Sequence, residues 1–292
     1  MSLCFFVSDL HGRKSRYGSL LHRVKEEQPD AVFLGGDLLP HAMDVSWQEG
    51  SHQADFITDY LIPLFSRVRD DLGSDYPRVF LILGNDDPFI FETSLREGQD
   101  QGLWEYIHGR KVDWLGYTII GYACIPPSPF LLKDWERYDV SRFVDPGSIS
   151  PEEGRRSGGL TDREIRNRTI AGELDELAGD VDNFSRTILL SHCPPYDCLL
   201  DRAALDGKSV DHAPLDVHIG SIAIRRFIED KQPHLSLHGH VHESRRLTGS
   251  WQDRFGSTVS FNAANDTPAL ALVRFNPESC NQATLELIEP AD

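Results

Sequence analysis

The first third of the chain alternates apolar runs with amphipathic segments. The apolar runs predict buried strands: LCFFVSD (3–9), AVFLGGD (31–37) and RVFLILGND (78–86). Residues 15–30 place Leu20, Leu21 and Val24 on one face of a helix, and residues 54–72 form a second, partly helical segment that Pro63 starts or kinks. Strand, helix, strand, helix, strand predicts a mostly parallel sheet covered by helices.

The middle of the chain departs from this alternation, and the last third resumes it. Residues 111–125 predict two short strands around a glycine turn, and residues 161–179 predict one helix opened by a capping box of Thr161 and Glu164. The later predicted elements are strand TILLSH (187–192), helix SIAIRRFIEDKQP (221–233), strand HLSLHGH (234–240) and the strand-like runs STVSFNAA (257–264), ALALVRF (269–275) and ATLELIE (283–289). We expect the three late runs to form a second, more antiparallel sheet.

The organisation of the chain is that of one domain. Its 292 residues can bury a sizeable core, and no repeat, heptad pattern or low-complexity tract interrupts them. No composition shift marks a linker. We therefore predict a single α/β domain over residues 1–292, with a loop-rich, mobile cover inserted at about 126–160, where Pro, Gly, Ser and charged residues accumulate.

The charge balance and the cysteines restrict partners and compartment. Acidic residues outnumber basic ones, 46 to 29, which disfavours nucleic acid and anionic lipid because such binding depends on basic side chains. A small phosphorylated substrate is compatible where metal ions supply the positive charge. No apolar run reaches the roughly 18 residues of a membrane helix. Five scattered cysteines without a signal peptide predict a reducing, cytoplasmic location, and no pattern indicates an oligomeric state.

Polar side chains with metal-binding chemistry follow five of the predicted strands. They are Asp9 and His11, Asp37, Asn85, His192, and His240 and His242. The functional site of an α/β sheet lies outside the carboxyl ends of its strands, so these side chains are expected to converge. A single Asp or His after a strand is usually a turn, cap or structural residue, whereas five such strand ends together predict a site.

Carboxylate, imidazole and amide oxygen are ligands that suit Mn, Fe or Zn. The set is too large for one ion, but two divalent ions held roughly 3.5–4 Å apart and bridged by one carboxylate would use all of it. Asn85 offers an oxygen without adding negative charge. Glycines at 35, 36, 84 and 239 are expected to let the backbone turn so that the ligands point inward.

The ordered motifs resemble the calcineurin-like metallophosphoesterase signature. They are Asp9-x-His11, Gly36-Asp37, Gly84-Asn85-x-Asp87, His192 in SHCPP, and Gly239-His240-x-His242, spanning most of the chain. The resemblance implies a four-layer α/β/β/α sandwich of two mixed sheets flanked by helices. It also implies that one metal takes Asp9, His11 and His242, that the other takes Asn85, His192 and His240, and that Asp37 bridges both.

Two such ions would lower the pKa of a shared water, and the resulting hydroxide would attack phosphorus in line, hydrolysing a P–O bond. Many members of the family have a His after the Asn, whereas this chain has Asp86. A carboxyl group has an ordinary pKa near 3.9, and nearby cations lower it further, so Asp86 is a poor general acid at neutral pH. The absence of a general acid lowers the rate of hydrolysis by about 10²–10⁴-fold, most of all for poor leaving groups. A preference for phosphodiester, cyclic or anhydride substrates follows.

The sequence leaves the proton donor and the substrate contacts open. The candidate catalytic residues are Asp86, Asp87 and His41, with His212 and His218 as other proton donors, and the candidate substrate contacts are Arg13 and Asn85. The alternatives are a phosphomonoesterase with another proton donor, and a weak or inactive metal-binding scaffold of the same fold. A nuclease is disfavoured by the acidic composition.

Overall fold

The computed structural model describes residues 2–41 and 55–290. The strands are β1 (Cys4–Val7), β2 (Ala31–Gly35), β3 (Arg78–Ile82), β4 (Glu105–Tyr106), β5 (Arg110–Trp114), β6 (Tyr117–Tyr122), β7 (Thr187–Ser191), β8 (Ser209–Val210), β9 (Ala213–Pro214), β10 (Leu235–His238), β11 (Gln252–Phe255), β12 (Thr258–Asn262), β13 (Leu270–Phe275) and β14 (Thr284–Ile288). The helices are α1 (Lys14–Glu27), α2 (Ile62–Leu72), α3 (Glu92–Asp100), α4 (Asp162–Asn167), α5 (Ile170–Ala178), α6 (Ile222–Lys231) and α7 (Ser244–Thr248).

Two six-stranded mixed sheets carry the fold. The first has the order β14-β13-β1-β2-β3-β4, in which β1 to β4 are parallel and β13 and β14 are antiparallel. The second has the order β11-β12-β10-β7-β6-β5, with a parallel centre and one antiparallel strand at each edge. A separate hairpin pairs β8 with β9.

The sheets pack face to face, with β2 against β7 and β3 against β6. Their central strands are buried along their whole length because both faces of each sheet are covered, which explains why these strands are mostly apolar. Helix α1 packs against α2 and β13, and α5 packs against α6. The predicted sandwich of two mixed sheets flanked by helices is confirmed.

The predicted helices are largely confirmed, with one correction. Residue 54 lies outside the described residues, and a π-helical turn, Ile57–Leu61, leads into α2, where Pro63 lies in the first turn. The capping box of Thr161 and Glu164 is present, but residues 161–179 form two helices. Arg168 is extended, and Thr169 caps α5 because its side chain accepts a hydrogen bond from Gly172 N.

The prediction for the late strands was wrong in their grouping. Strand β12 lies parallel to β10 in the second sheet, while β13 and β14 extend the antiparallel edge of the first sheet beside β1. An apolar run records that a strand is buried, and it carries no information about which strand it pairs with. The three runs therefore divide between two sheets.

The cover segment is held by buried charged groups. Within the described residues 126–160 there are only isolated bridges and turns. Lys133 and Glu136 are both fully buried, and Lys133 Nζ lies 2.6 Å from Glu136 Oε2 and 2.8 Å from Ser128 O. Asp139 accepts hydrogen bonds from Ile222 N and Ala223 N at the start of α6. The cover is therefore tied to the body of the fold.

In the described part of the chain, no helix has both the length and the apolar character needed to cross a bilayer. All five cysteines are free.

A histidine between β4 and β5 makes the fold sensitive to acid. His108 Nδ1 accepts a hydrogen bond from Ala123 N at 2.9 Å, and burial, together with the nearby Arg137, lowers the pKa of His108 to about 3. The unfolded chain takes up a proton below about pH 6.5, whereas the folded ring does not, so this contribution to stability is lost as the pH falls. We expect the free energy of unfolding of the wild type to drop between pH 6.5 and pH 4 by on the order of 3 kcal/mol more than that of His108→Gln. Urea denaturation across this range measures the difference, and equal slopes for the two proteins would contradict it.

Candidate metal centre

The seven predicted ligands converge at the carboxyl ends of five strands. Asp9 and His11 follow β1, Asp37 follows β2 and Asn85 follows β3 in the first sheet. His192 follows β7, and His240 and His242 follow β10, in the second sheet. The strand ends of both sheets therefore meet at one edge of the sandwich, as the sequence predicts.

Three of these residues form a first group on one side of the centre. Asp9 Oδ1 lies 3.0 Å from His242 Nε2 and 4.0 Å from His11 Nε2. The two imidazole nitrogens, His11 Nε2 and His242 Nε2, are 3.1 Å apart. Together with Asp37 they offer ligand atoms that all lie within 4.8 Å of one another. This is the spacing of donors around a single ion.

A second group lies on the other side of Asp37. His192 Nε2 is 3.1 Å from Asn85 Oδ1, and the rings of His192 and His240 have centroids 5.3 Å apart. His192 Nδ1 lies 2.8 Å from Gly35 O, so this nitrogen donates to the carbonyl and leaves Nε2 free as a ligand. The backbone N–H of His240 donates to the Asp9 carboxylate, which connects the two groups.

Asp37 contacts both groups. Its Oδ2 lies 3.3 Å from His192 Nε2 and 4.0 Å from His11 Nε2, while its Oδ1 accepts a hydrogen bond from Asp86 N at 2.8 Å. The side chain is almost fully buried. This is the position that a bridging carboxylate requires.

Several of the candidate ligands have a left-handed backbone conformation, which residues other than glycine rarely adopt. Asp9, His11, Asp37 and His240 have φ values of 57°, 46°, 51° and 71°. Left-handed backbone is costly for residues with a Cβ atom and tends to occur at functional sites, where surrounding structure enforces it. Four of the seven candidate ligands are therefore held in a conformation that the local sequence would not choose.

Two glycines at the centre occupy positions where a side chain would be unfavourable, one because of its backbone conformation and one because of lack of space. Gly36 has φ +98°, and so it turns the chain into Asp37. Gly84 is needed for space, because a Cβ atom there would lie 2.3 Å from Asp37 Oδ1 and 2.7 Å from His192 Cε1. The expected sharp turn thus holds at Gly36, while Gly84 allows close approach of the ligands.

The protonation of the centre follows from its opposite charges. Burial opposes ionisation of Asp9, but the charge and hydrogen bond of His242 outweigh it and lower the pKa of Asp9 to about 2. Burial likewise opposes protonation of His192, but Asp37 outweighs it and raises the pKa of His192 to about 10. Burial lowers the pKa of His240 to about 3. The positive charge of the protonated His192 ring therefore neutralises the carboxylates of the centre. A bound divalent cation can take over this role, and His192 then loses its proton.

The donors fit divalent ions. Two carboxylates, four imidazoles and one amide oxygen form an oxygen and nitrogen set typical of Mn, Fe or Zn. His11 Nε2 and His242 Nε2 face each other at 3.1 Å, where two neutral rings can share only one proton, and a cation beside both nitrogens satisfies them together. A group of this kind can hold ions that bind phosphoryl oxygens.

Comparison with known families agrees with this geometry. Residues 4–244 match the family described as calcineurin-like phosphoesterase. The chain belongs to the calcineurin-like phosphoesterase family. It is 34% identical over 122 residues to an uncharacterized protein of Methanocaldococcus jannaschii, a match that covers 41% of this chain and 46% of that protein. The chain thus spans about half the length of that curated relative.

Solved structures agree on the fold of this phosphoesterase. The crystal structure of TT1561 of Thermus thermophilus aligns over 99% of both chains, with a TM-score of 0.56 and 15% identity. At this identity the similarity shows the fold alone. The arrangement of ligands in the present chain is therefore argued from its own geometry.

Asp86, which follows Asn85 in this phosphoesterase, lies between two histidines. Its Oδ2 is 3.1 Å from His41 Nδ1 and 3.6 Å from His11 Nδ1, and the rings of His11 and His41 stack with centroids 4.9 Å apart. Burial and the charge of Asp37 raise the pKa of Asp86 to about 7, so in the folded chain its pKa starts well above the ordinary value assumed from sequence. Cations at the ligand positions act in the opposite direction. Asp86 is placed to orient the His41 ring, whereas His11 Nδ1 is buried without a hydrogen-bond partner within the described residues.

Asp87 occupies a different environment. It is fully buried, and its carboxylate accepts hydrogen bonds from the backbone N–H groups of Leu38, Leu39 and Gly84 at 2.7–3.0 Å. Burial, and then the charge of Asp37, raise the pKa of Asp87 to about 8. These contacts join the loop after β2 to the loop after β3. The geometry supports a positioning role for Asp87, and its predicted catalytic role gains no support from these contacts.

The substrate contacts predicted from sequence differ in position. Asn85 lies within the centre, whereas Arg13 is exposed at the start of α1 and its side chain makes no hydrogen bond or ion pair within the described residues. The sequence did not point to Arg16, which supports the site from behind. Its buried guanidinium donates hydrogen bonds to the backbone carbonyls of Asp9, Asn265 and Thr267. Its position one turn before Leu20, on the apolar face of α1, was the available signal.

Proposed function

We propose that the protein is a metal-dependent phosphoric ester hydrolase that binds two divalent ions of the Mn, Fe or Zn type. One ion is held by Asp9, His11 and His242, and the other by Asn85, His192 and His240, with Asp37 between them. The observation that supports this most strongly is the position of Asp37, which contacts His192 on one side and His11 on the other. When bound, such ions supply positive charge to phosphoryl oxygens and lower the pKa of a water molecule.

The chain's own residues fix the geometry around the reacting phosphate. Asp37 Oδ1 accepts from Asp86 N, and Asp87 braces the two loops, so the ligand positions depend on one hydrogen-bonded unit. His41 is half exposed, and its Nδ1 lies 3.1 Å from Asp86 Oδ2, so the protonated ring would have its second N–H, on Nε2, free to donate to a departing oxygen. We propose His41, oriented by Asp86, as the group that stabilises the leaving group.

The substrate preference follows from this arrangement. Many family members have a histidine directly after the Asn, whereas the donor here is a partly exposed histidine that follows β2, and Asp86 itself is a weak donor once cations are bound. Substrates with acidic leaving groups depend least on such a donor. We therefore propose small phosphodiesters, cyclic phosphates or phosphoanhydrides as substrates, in preference to alkyl monoesters.

The experiment is an activity screen with controlled metal content. Protein stripped with EDTA should be inactive, and addition of Mn²⁺ should restore hydrolysis of bis(p-nitrophenyl) phosphate more than that of an alkyl monoester such as glycerol phosphate. In His41→Gln, turnover of an alkyl diester should fall by about 10²-fold, and turnover of the aryl diester should fall much less. The exposed His22→Gln serves as the matched control.

Two outcomes would contradict the proposal. A protein that binds two ions yet hydrolyses none of the phosphate esters with any metal would favour the scaffold alternative. Efficient alkyl monoester hydrolysis, unchanged in His41→Gln, would rule out the proposed leaving-group donor.

A further inference from the structure

A cavity of about 620 Å³ lies beside the cover segment and outside the metal centre. Its volume lies within the range of small-molecule binding sites and far exceeds a packing defect. None of the seven candidate ligands lines it. Four aromatic rings form much of its wall, namely Phe89, His108, Tyr122 and Trp135.

The rings are arranged as a rigid aromatic wall. The rings of His108 and Trp135 meet edge to face with centroids 4.8 Å apart, and the centroids of Phe89 and Trp135 are 5.6 Å apart. Trp135 and Tyr122 are almost fully buried and form the fixed backing of the wall, so the half-buried Phe89 and His108 are the rings that a ligand can contact. Aromatic walls of this kind favour planar rings, which gain contact area with little loss of conformational entropy.

One polar group on this wall has no protein partner. Because His108 Nδ1 accepts from Ala123 N, the neutral ring carries its hydrogen on Nε2. Within the described residues Nε2 has no hydrogen-bond partner, and the lowered pKa of about 3 keeps the ring neutral at physiological pH. His108 is thus a hydrogen-bond donor available to a ligand acceptor atom.

The charges around the cavity cancel. The lining has three cationic and three acidic side chains, Lys111, Arg137 and Arg168 with Asp134, Glu173 and Glu176. Glu173 already pairs with Arg137 Nε at 3.3 Å and with Arg168 at 3.4 Å, and Tyr122 donates to it at 2.7 Å. Such a balanced lining disfavours a polyanion and suits an uncharged group with hydrogen-bonding atoms.

We propose that this cavity binds a planar nitrogen heterocycle, such as a nucleobase, with a ring acceptor atom on His108 Nε2 and its face against the half-buried ring of Phe89. No residue of the metal centre takes part in this binding.

The cavity is connected to the metal centre by a hydrogen bond. Trp135 Nε1 donates to Asp87 O at 2.7 Å, and Phe89 follows Asn85 by four residues, at most about 14 Å of extended chain. The heterocycle could therefore belong to a phosphorylated substrate or to a separate effector. The first of these forms depends on the proposed hydrolase function, and the second does not.

The binding test uses metal-free protein, so that it is independent of hydrolysis. Adenine and cytosine are titrated by calorimetry into the wild type, into Leu160→Trp, which fills the cavity, and into Leu115→Trp, which changes an exposed leucine away from it. We expect binding to the wild type and to Leu115→Trp, and at least tenfold weaker binding to Leu160→Trp. The His108→Phe variant should weaken adenine binding by about threefold to tenfold, the effect of one hydrogen bond.

A second measurement protects the test from a misfolded variant. Adenine should shift the indole N–H resonance of Trp135, assigned with Trp135→Phe, in otherwise wild-type protein. No binding of either base, or binding that leaves the Trp135 resonance unchanged and is equal in Leu160→Trp, would overturn the proposal.

The source of the heterocycle is then decided with Mn²⁺-loaded protein. If it is part of the substrate, Leu160→Trp should raise KM for 2′,3′-cyclic AMP and leave KM for bis(p-nitrophenyl) phosphate unchanged. If it is an effector, adenine should change the turnover of bis(p-nitrophenyl) phosphate without competing with it. Adenine binding at Trp135 without any hydrolysis would support the cavity and overturn the proposed hydrolase.

Discussion

Asp37→Asn is expected to lower phosphodiester turnover by about 10³-fold or more. Asp37 lies between the two groups of ligands and contacts an imidazole nitrogen of each, His192 Nε2 at 3.3 Å and His11 Nε2 at 4.0 Å. An amide has the same shape but lacks the charge that would bridge two cations, and several kcal/mol of charge stabilisation corresponds to three or more factors of ten. Asn also tolerates the left-handed backbone at φ 51°, so the fold should survive.

The measurement combines kinetics with metal analysis. We expect kcat with Mn²⁺ to fall and the bound metal to fall from two ions per chain to one or fewer, while the thermal midpoint of the metal-free protein changes little. The matched control is Asp182→Asn, an exposed carboxylate without a hydrogen bond or ion pair within the described residues. Wild-type turnover together with two bound ions in Asp37→Asn would contradict the bridging role.

Asp87→Ala should cause the largest loss of stability among the changes considered. Its carboxylate accepts from three buried backbone N–H groups, those of Leu38, Leu39 and Gly84. Each amide left without a partner costs about 1–3 kcal/mol, so three of them would lower the free energy of unfolding by about 3–9 kcal/mol. Because the same contacts hold the loops that carry Asp37 and Asn85, affinity for metal should also fall by about 10–100-fold.

Denaturation by urea and calorimetric metal titration measure the two effects. Asp87→Asn is the informative companion, because it keeps one carbonyl oxygen and should lose less stability than Asp87→Ala. Asp182→Ala provides a surface control. A stability of Asp87→Ala within about 0.5 kcal/mol of the wild type would show that the two loops hold their positions without this carboxylate.

Much of the fold could be predicted from the sequence because burial leaves a local pattern. The runs at β1, β2, β3, β7 and β10 are mostly apolar and almost entirely buried, as expected for strands covered on both faces. The side chains that end these runs have metal-binding chemistry, and strand direction places them at one edge of the sandwich. The family and the candidate ligands were therefore readable before the structure.

The partners of individual strands and loops were not readable in this way. The late runs that became β12 and β13 have similar apolar patterns but join different sheets. The break between α4 and α5 depends on whether Thr169 caps a helix or continues one, and neither choice changes the hydrophobic pattern.

The sequence by itself determined which side chains could bind metal and on which ends of which strands they lie. Only the tertiary structure decided the roles of the adjacent carboxylates, since Asp86 turns to His11 and His41 while Asp87 turns to backbone amides. It also decided that Phe89, His108 and Trp135 enclose a cavity. The physical reason is that residue type and periodicity encode burial and chemistry locally, whereas hydrogen-bond partners and cavities arise from segments that are distant in the chain.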